Sequence, residues 1–407
     1  MVGLVVALSS GCSVEVIEYD GSADDNCGPD CGPVGTERGC VELLEGSSNN
    51  DVLALLPADS GQFFAAGAIE VGSTTRGWVS SFSESGEQRW LTQIELPSSD
   101  DVDVDVRVLA LAPDQASGVW ALAVSPTMDY LVHLDQDGAS VSTVDLDAEV
   151  GLYVSARAIA ATSAGIWVAG TSQADMWLAV HDPTTNATTT RLLEDHLGFK
   201  DEVQAMGVSP TELAIAATVS TSPNFDDDLL LTATTDILVI QLDLQGTERT
   251  RTLLPATPDS PIARHASSIS ADAAGRWFVG GVQRPRSVGV DAQLWVARVD
   301  PEQRWEWTSD ELLDSVGFAG IVGVDDGVLA AGGQLITADA DTPSIHAWLG
   351  SVASDGALRW QHANRPADHD HNEYKVLVRD AEGRIRAASK AWGPGDSSLL
   401  RSCLISY

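Results

Sequence analysis

This sequence predicts an all-β fold built from four-stranded antiparallel units. Three observations lead there. Apolar and polar residues alternate with the period of two that a half-buried strand requires, and little of the chain carries a helical period. Glycine-flanked apolar runs recur along the chain, and clusters of Asp, Ser and Gly punctuate them as turns. The repeat is long enough for four strands, which is the signature of a β-propeller.

The elements of the repeat follow in order. A short strand comes first: "DVLALLP", "RVLALAP", "ARAIAAT", "VQAMGVS", "ASSISAD", "AGIVGVD" and "KVLVRDA". The second is the glycine-flanked run, seen as "QFFAAGA" (62–68), "GVWALAV" (118–124), "GIWVAGT" (165–171) and "ELAIAATV" (212–219). It continues as "RWFVGGV" (276–282), "GVLAAGG" (327–333) and "RIRAASKAW" (384–392), making seven copies. The third strand opens at Trp78, Tyr130, Trp177, Leu238, Trp295 and Trp348, residues spaced 52, 47, 61, 57 and 53 apart. A shorter strand after the turn completes the unit, as in "EQRWLTQIEL", "EQRWEWTS" and "ALRWQHA". Seven such units predict a seven-bladed propeller, because each blade must bury its apolar faces against neighbours. A β-helix has shorter coils, and two β-sandwiches would not share one phase-locked repeat.

The last unit stops after "SLLRSCLIS", one strand short. "RGCVELLEG" (38–46) lies ahead of the first unit and matches "QRWLTQIEL" in length and pattern. It is expected to supply the missing strand, so that the chain ends pair and no sheet edge stays open. Cys40 then lies beside Cys403, within reach of a disulfide.

The 407 residues carry 59 acidic against 23 basic side chains, a net charge of −36, and Lys200, Lys375 and Lys390 are the only lysines. Such a field repels nucleic acid and anionic lipid headgroups, and it leaves the surface a solvated acidic coat. No stretch reaches the ~18 apolar residues that span a bilayer. The start, "MVGLVVALSSGCS", runs from apolar Val2–Leu8 through small residues to Cys12. Leu8, Ser9, Ser10, Gly11 and Cys12 resemble the end of a bacterial lipoprotein signal peptide, whose cleavage leaves a lipidated cysteine first. Ser9 stands where that pattern has leucine, and no Lys or Arg precedes the apolar run. The expected organisation is a signal segment 1–11, a flexible tether 12–37 and a propeller 38–407. Within the tether Cys27 and Cys31, each followed by Gly-Pro, are expected to pair in an exported chain.

Turns such as Ser83–Trp90 ("SESGEQRW") and Ser354–Trp360 ("SDGALRW"), with Arg304-Trp305 as a degenerate copy, are similar to quinoprotein-type and WD40-like propeller repeats of bacterial lipoproteins. The resemblance covers most of residues 47–407 and implies the fold. No set of cofactor-stacking and metal-binding residues accompanies it, so these tryptophans are read as braces between blades.

"DHDHNEY" (368–374) is the densest chemical cluster. In an extended segment His369 and His371 point the same way beside Asp368, Asp370 and Glu373, a donor set that suits zinc or a similar divalent metal. The stretch also lies in the connection between the sixth and seventh units, where an exposed polar loop is expected. "DVDVDV" (101–106) aligns Asp101, Asp103 and Asp105, and "NFDDD" (224–228) falls in the insertion 220–235. Both lack the pattern of a dedicated calcium loop and are read as acidic solvent faces. Arg284 and Arg286 form a basic spot in the loop 283–293. No nucleophile elbow, phosphate loop or metalloprotease motif is present.

The function expected is an exported, lipid-anchored propeller that serves as a binding scaffold at the cell envelope. It would be a monomer, with a protein or glycan partner, no cofactor, and membrane contact through the lipid alone. The competing expectation is a hydrolase or lyase acting on polysaccharide at the mouth of the central channel. Clustered carboxylates with a basic residue at that mouth would favour the enzyme.

Overall fold

The computed structural model describes residues 37–47, 50–58, 61–96, 104–114, 117–150, 154–172, 175–193, 201–220, 235–255, 262–285, 293–300, 305–308, 314–336, 344–364, 371–392 and 397–405. β1 (Glu37–Ser47) comes first, and seven groups of strands follow it. They are β2 (Asp51–Pro57), β3 (Phe63–Val71), β4 (Thr74–Phe82) and β5 (Gln88–Ile94); β6 (Arg107–Pro113), β7 (Val119–Val124), β8 (Asp129–Leu134) and β9 (Ser140–Asp145). A five-residue helix, α1 (Leu146–Val150), leads into β10 (Val154–Thr162), β11 (Gly165–Ser172), β12 (Asp175–Asp182) and β13 (Ala187–Leu192). The fourth and fifth groups are β14 (Asp201–Val208), β15 (Glu212–Ser220), β16 (Thr235–Asp243) and β17 (Glu248–Leu254), then β18 (Ile262–Ala271), β19 (Trp277–Pro285), β20 (Gln293–Val299) and β21 (Glu306–Thr308). The sixth is β22 (Asp314–Val324), β23 (Gly327–Ile336), β24 (Ser344–Ala353) and β25 (Leu358–Asn364), and the last is β26 (His371–Arg379), β27 (Ile385–Trp392) and β28 (Ser397–Ile405).

Five sheets have four antiparallel strands each. A sixth, of eight strands, is two antiparallel foursomes joined by one parallel bridge, Thr235 to Ala263. The last group is completed by β1, which pairs antiparallel with β28 from Glu37↔Ile405 to Ser47↔Ser397. The first, second and third strands fall where the repeat predicts them. The fourth strands β9, β13 and β17 carry little apolar periodicity and show themselves only in the structure.

Packing follows from alternation. Along β7, Val119, Ala121 and Ala123 pack toward the first group, while Trp120 and Leu122 pack toward the third. Each of the seven hydrophobic clusters among the described residues is shared by two groups consecutive in the chain, save one. That one joins the last group to the first, placing Leu43, Ala388 and Leu400 against Val52, Phe63 and Trp78. The leading tryptophans Trp78, Trp177, Trp295 and Trp348 are all buried. Burying each such ring contributes on the order of 3 kcal/mol. The first strands lie against one another in order, β2 on β6, β10, β14, β18, β22 and β26, and β26 in turn lies on β2.

A second contact recurs between neighbouring groups. Trp90, on β5, donates its Nε1–H to the Gln136 carbonyl at 2.8 Å and stands over Gly138 in the next group's turn. Trp305 donates likewise to the Ser354 carbonyl and stands over Gly356. Val41, on β1, occupies the equivalent place over Gly86. The N-terminal strand therefore meets the first group's turn as a fourth strand does.

The seam between the chain ends carries further bonds. Cys40 and Cys403 form a disulfide across β1 and β28, 363 residues apart in sequence, with Cα atoms 4.1 Å apart. Arg384 reaches Glu84 at 2.9 Å, and the Arg386 guanidinium lies 4.1 Å from the Phe63 ring centroid. Phe63 stacks on Phe82, so this buried cation is faced by a π-system rather than a carboxylate.

Candidate functional site

Each first strand breaks its ladder with the second at one equivalent residue, and β22 breaks it a second time, at Val316. The equivalent skipped residues are Leu53, Leu109, Arg157, Gln204, Ser267, Ala319 and Lys375. A one-residue bulge turns a side chain out of the pleat and leaves it unpaired in the ladder. The residue before each bulge is apolar: Val52, Val108, Ala156, Val203, Ala266, Phe318 and Tyr374. Opposite it on the second strand stands a small residue, Gly67, Ala123, Gly170, Ala217, Gly281, Gly332 or Ser389. A Cβ on Gly67 would lie 2.0 Å from the Asp51 carbonyl oxygen, and one on Gly281 equally close to the His265 carbonyl. Bulge and small residue are thus one device. The side chains of these seven residues are all at least partly exposed, and the first strands that carry them lie against one another in chain order.

A charge cluster lies where the sixth, seventh and first groups meet. Lys375 forms an ion pair with Glu373, and its Nζ stands 3.9 Å from Asp51 Oδ1. Glu373 is buried, its Cβ against Gly333. Lys390 lies directly opposite Glu373 in the β26–β27 ladder, and directly opposed residues share a face. Burial lowers the proton affinity of the Lys390 ammonium; Asp51 and Glu373 pull it back up, while Lys375 pushes it further down. A parallel contact occurs at the fourth group, where Gln204 donates to Glu202 at 3.2 Å.

A carboxylate pair ties the second and third groups. Asp129 is buried and accepts the Ala156 amide at 2.6 Å, while Asp147 accepts the amides of Asp129 and Val154 at 3.0 Å each. Burial pushes the Asp129 carboxyl up to about 7; the Ala156 hydrogen bond opposes this, Asp147 adds to it and Arg157 offsets it.

The other residues singled out in the sequence lie as follows. Cys12, Cys27, Cys31, His369, Asp368, Asp370, Arg286, Asp101, Asp103 and the stretch 224–228 fall outside the described residues. His371 opens β26; its Nδ1 accepts the Ile345 amide at 3.1 Å, and its ring stacks on Trp392. Asp105 accepts the Thr75 amide at 2.6 Å. No group of three or more metal-ligating side chains occurs among the described residues. In the sequence Lys375 and Lys390 belong to no motif. Their meeting with Asp51 depends on the two chain ends lying together.

No protein-family model and no curated protein matches the chain. Solved structures do. Polysaccharide lyase Uly1 is similar at 8% identity with a TM-score of 0.56, covering 87% of this chain and 89% of that one. The Plexin A4 extracellular region aligns with a TM-score of 0.50 at 8% identity, over 92% of this chain and 47% of its own. The β-propeller domain of the Trilobed protease from Pyrococcus furiosus aligns at 7% identity and a TM-score of 0.49, over 88% and 94%. At such identities these likenesses describe fold alone. The chain is an all-β protein of four-stranded antiparallel sheets, with propellers among its structural neighbours.

Proposed function

We propose that this chain is an exported seven-bladed propeller, held at the cell envelope by a lipid on Cys12, that binds a partner at the rim of its first strands. The seven foursomes are its blades, and β1 closes the ring as the fourth strand of the last. The cluster shared by the last and first groups, and the contact of β26 with β2, support that closure. Cys27 and Cys31 pair within the tether. The molecule acts as a monomer and avoids nucleic acid by its charge.

One observation carries the binding reading. The scaffold around the one bulge position shared by all seven first strands is uniform, apolar before and small opposite, whereas the bulge residue itself runs Leu, Leu, Arg, Gln, Ser, Ala, Lys. A repeat that holds its backbone constant while varying one displayed side chain builds a specific surface on a generic frame. The triple change Leu53→Asp, Leu109→Asp and Arg157→Glu should abolish recovery of an envelope partner by photo-crosslinking while leaving the thermal midpoint within a few degrees. Undiminished crosslinking would refute the rim as the binding surface. Separately, fatty-acid labelling that persists in Cys12→Ser would refute the anchor.

The polysaccharide enzyme stays as the second reading, because Asp51, Glu373, Lys375 and Lys390 are the clustered carboxylates and basic residues that it requires. Release of reducing ends or of ultraviolet-absorbing unsaturated uronate from acidic polysaccharides would establish it. No release from a broad panel would dismiss it.

A further inference from the structure

Lys390 differs from the chain's other cations in the cluster. Lys375 is spent on Glu373 and Asp51. Lys390 shares the face and is partly buried, yet it makes no hydrogen bond or close ion pair among the described residues. Asp51, about a quarter exposed, accepts no hydrogen bond from the described residues either. One amine thus has no close partner, and one carboxylate is held only by Lys375 at 3.9 Å, around a completed ion pair. That arrangement suits a ligand with an electrophilic carbon for the amine and a donor for the carboxylate. An aldehyde with a hydroxyl on the neighbouring carbon, the open-chain end of a sugar, offers both.

We propose that Lys390 captures a hydroxyaldehyde as an imine, with Asp51 accepting the neighbouring hydroxyl. The Nζ lone pair attacks the aldehyde carbon, and the carbonyl π pair moves to oxygen, which takes up the proton that nitrogen loses. The carbinolamine then breaks its C–O bond. Hydroxide leaves with the second nitrogen-bound proton as one water, and C=N forms with no change in oxidation state. A desolvated lysine beside a second cation is the arrangement that keeps an amine nucleophilic near neutral pH. Asp51 and Glu373 oppose that effect, and the Glu373–Lys375 ion pair limits how much Glu373 can add. This site is a subsite of the rim proposed above, and its failure would leave partner binding elsewhere on the rim intact.

The lysine content makes the test simple. Cleavage at arginine puts Lys200 (between Arg191 and Arg249), Lys375 (between Arg365 and Arg379) and Lys390 (between Arg386 and Arg401) on three separate peptides. The full-length folded protein is treated near pH 7 with glycolaldehyde and cyanoborohydride, which traps the imine, and the peptides are mapped by mass. The expected result is labelling of Lys390 about tenfold or more faster than of Lys200 or Lys375. Propionaldehyde, which lacks the hydroxyl, should label Lys390 several-fold more slowly, and Asp51→Asn should erase that difference while leaving the circular dichroism spectrum unchanged. Equal rates at the three lysines, or first labelling at Lys200 or Lys375, would overturn the proposal. So would a Lys390 that makes no distinction between the two aldehydes in the unaltered protein.

Discussion

Asp129 shows what one buried carboxyl does to pH dependence. Its proton is held more tightly in the folded chain than in the unfolded one, where the ordinary value is 3.8. Its stabilising contribution is therefore fully present below about pH 4 and is lost as pH rises through about 7. Asp129→Asn keeps an oxygen for the Ala156 amide and removes the titration. The variant should be the more stable protein at pH 8, by about 1–2 kcal/mol, with the gap closing toward pH 4. Urea midpoints at the two pH values would check it, and a gap that widens at low pH would contradict it. At this scale the sequence conceals most of the chemistry. Asp129 looks like any turn aspartate until β10 brings the Ala156 amide to it. Asp51, Lys375 and Lys390 belong to segments that only the meeting of the chain ends joins.

The strands themselves are far more legible, because alternation is written locally. "GVWALAV" and "YLVHLDQDG" state both of their buried faces in the sequence. β9, β13 and β17 do not, because strands with little buried surface need little apolar period. The bulges leave a trace that is readable in retrospect: a small residue stands opposite each one, and where it is glycine, as at Gly67, Gly170, Gly281 and Gly332, it marks where the first strand's carbonyl approaches. The brace between groups gives a test at this scale. Trp90→Ala removes a packed ring and the bond to Gln136 and should cost about 2–3 kcal/mol; Val41→Ala, at the equivalent place, should cost about 1 kcal/mol. Chemical denaturation reads both. A neutral Val41→Ala would mean that β1 does not brace the first group's turn as Trp90 braces the next.

For the whole molecule, seven apolar interfaces each need two partners, and the last and first groups supply one another's. Repetition made that architecture legible in the sequence, and the odd half-strand at each end pointed to how it finishes. Arg384–Glu84, Arg386 over Phe63 and the Cys40–Cys403 bond all fall on the one seam where the chain is not continuous. Linking residues 363 apart restricts the unfolded chain by roughly 6 kcal/mol at most. Cys40→Ser with Cys403→Ser should therefore lower the unfolding midpoint by several degrees while the strand content by circular dichroism stays the same. Digestion without reduction, followed by mass spectrometry of the linked peptides, tests the closure most directly. A single Cys40–Cys403 peptide is the predicted product, and Cys40 joined to Cys27 or Cys31 would contradict the proposed closure.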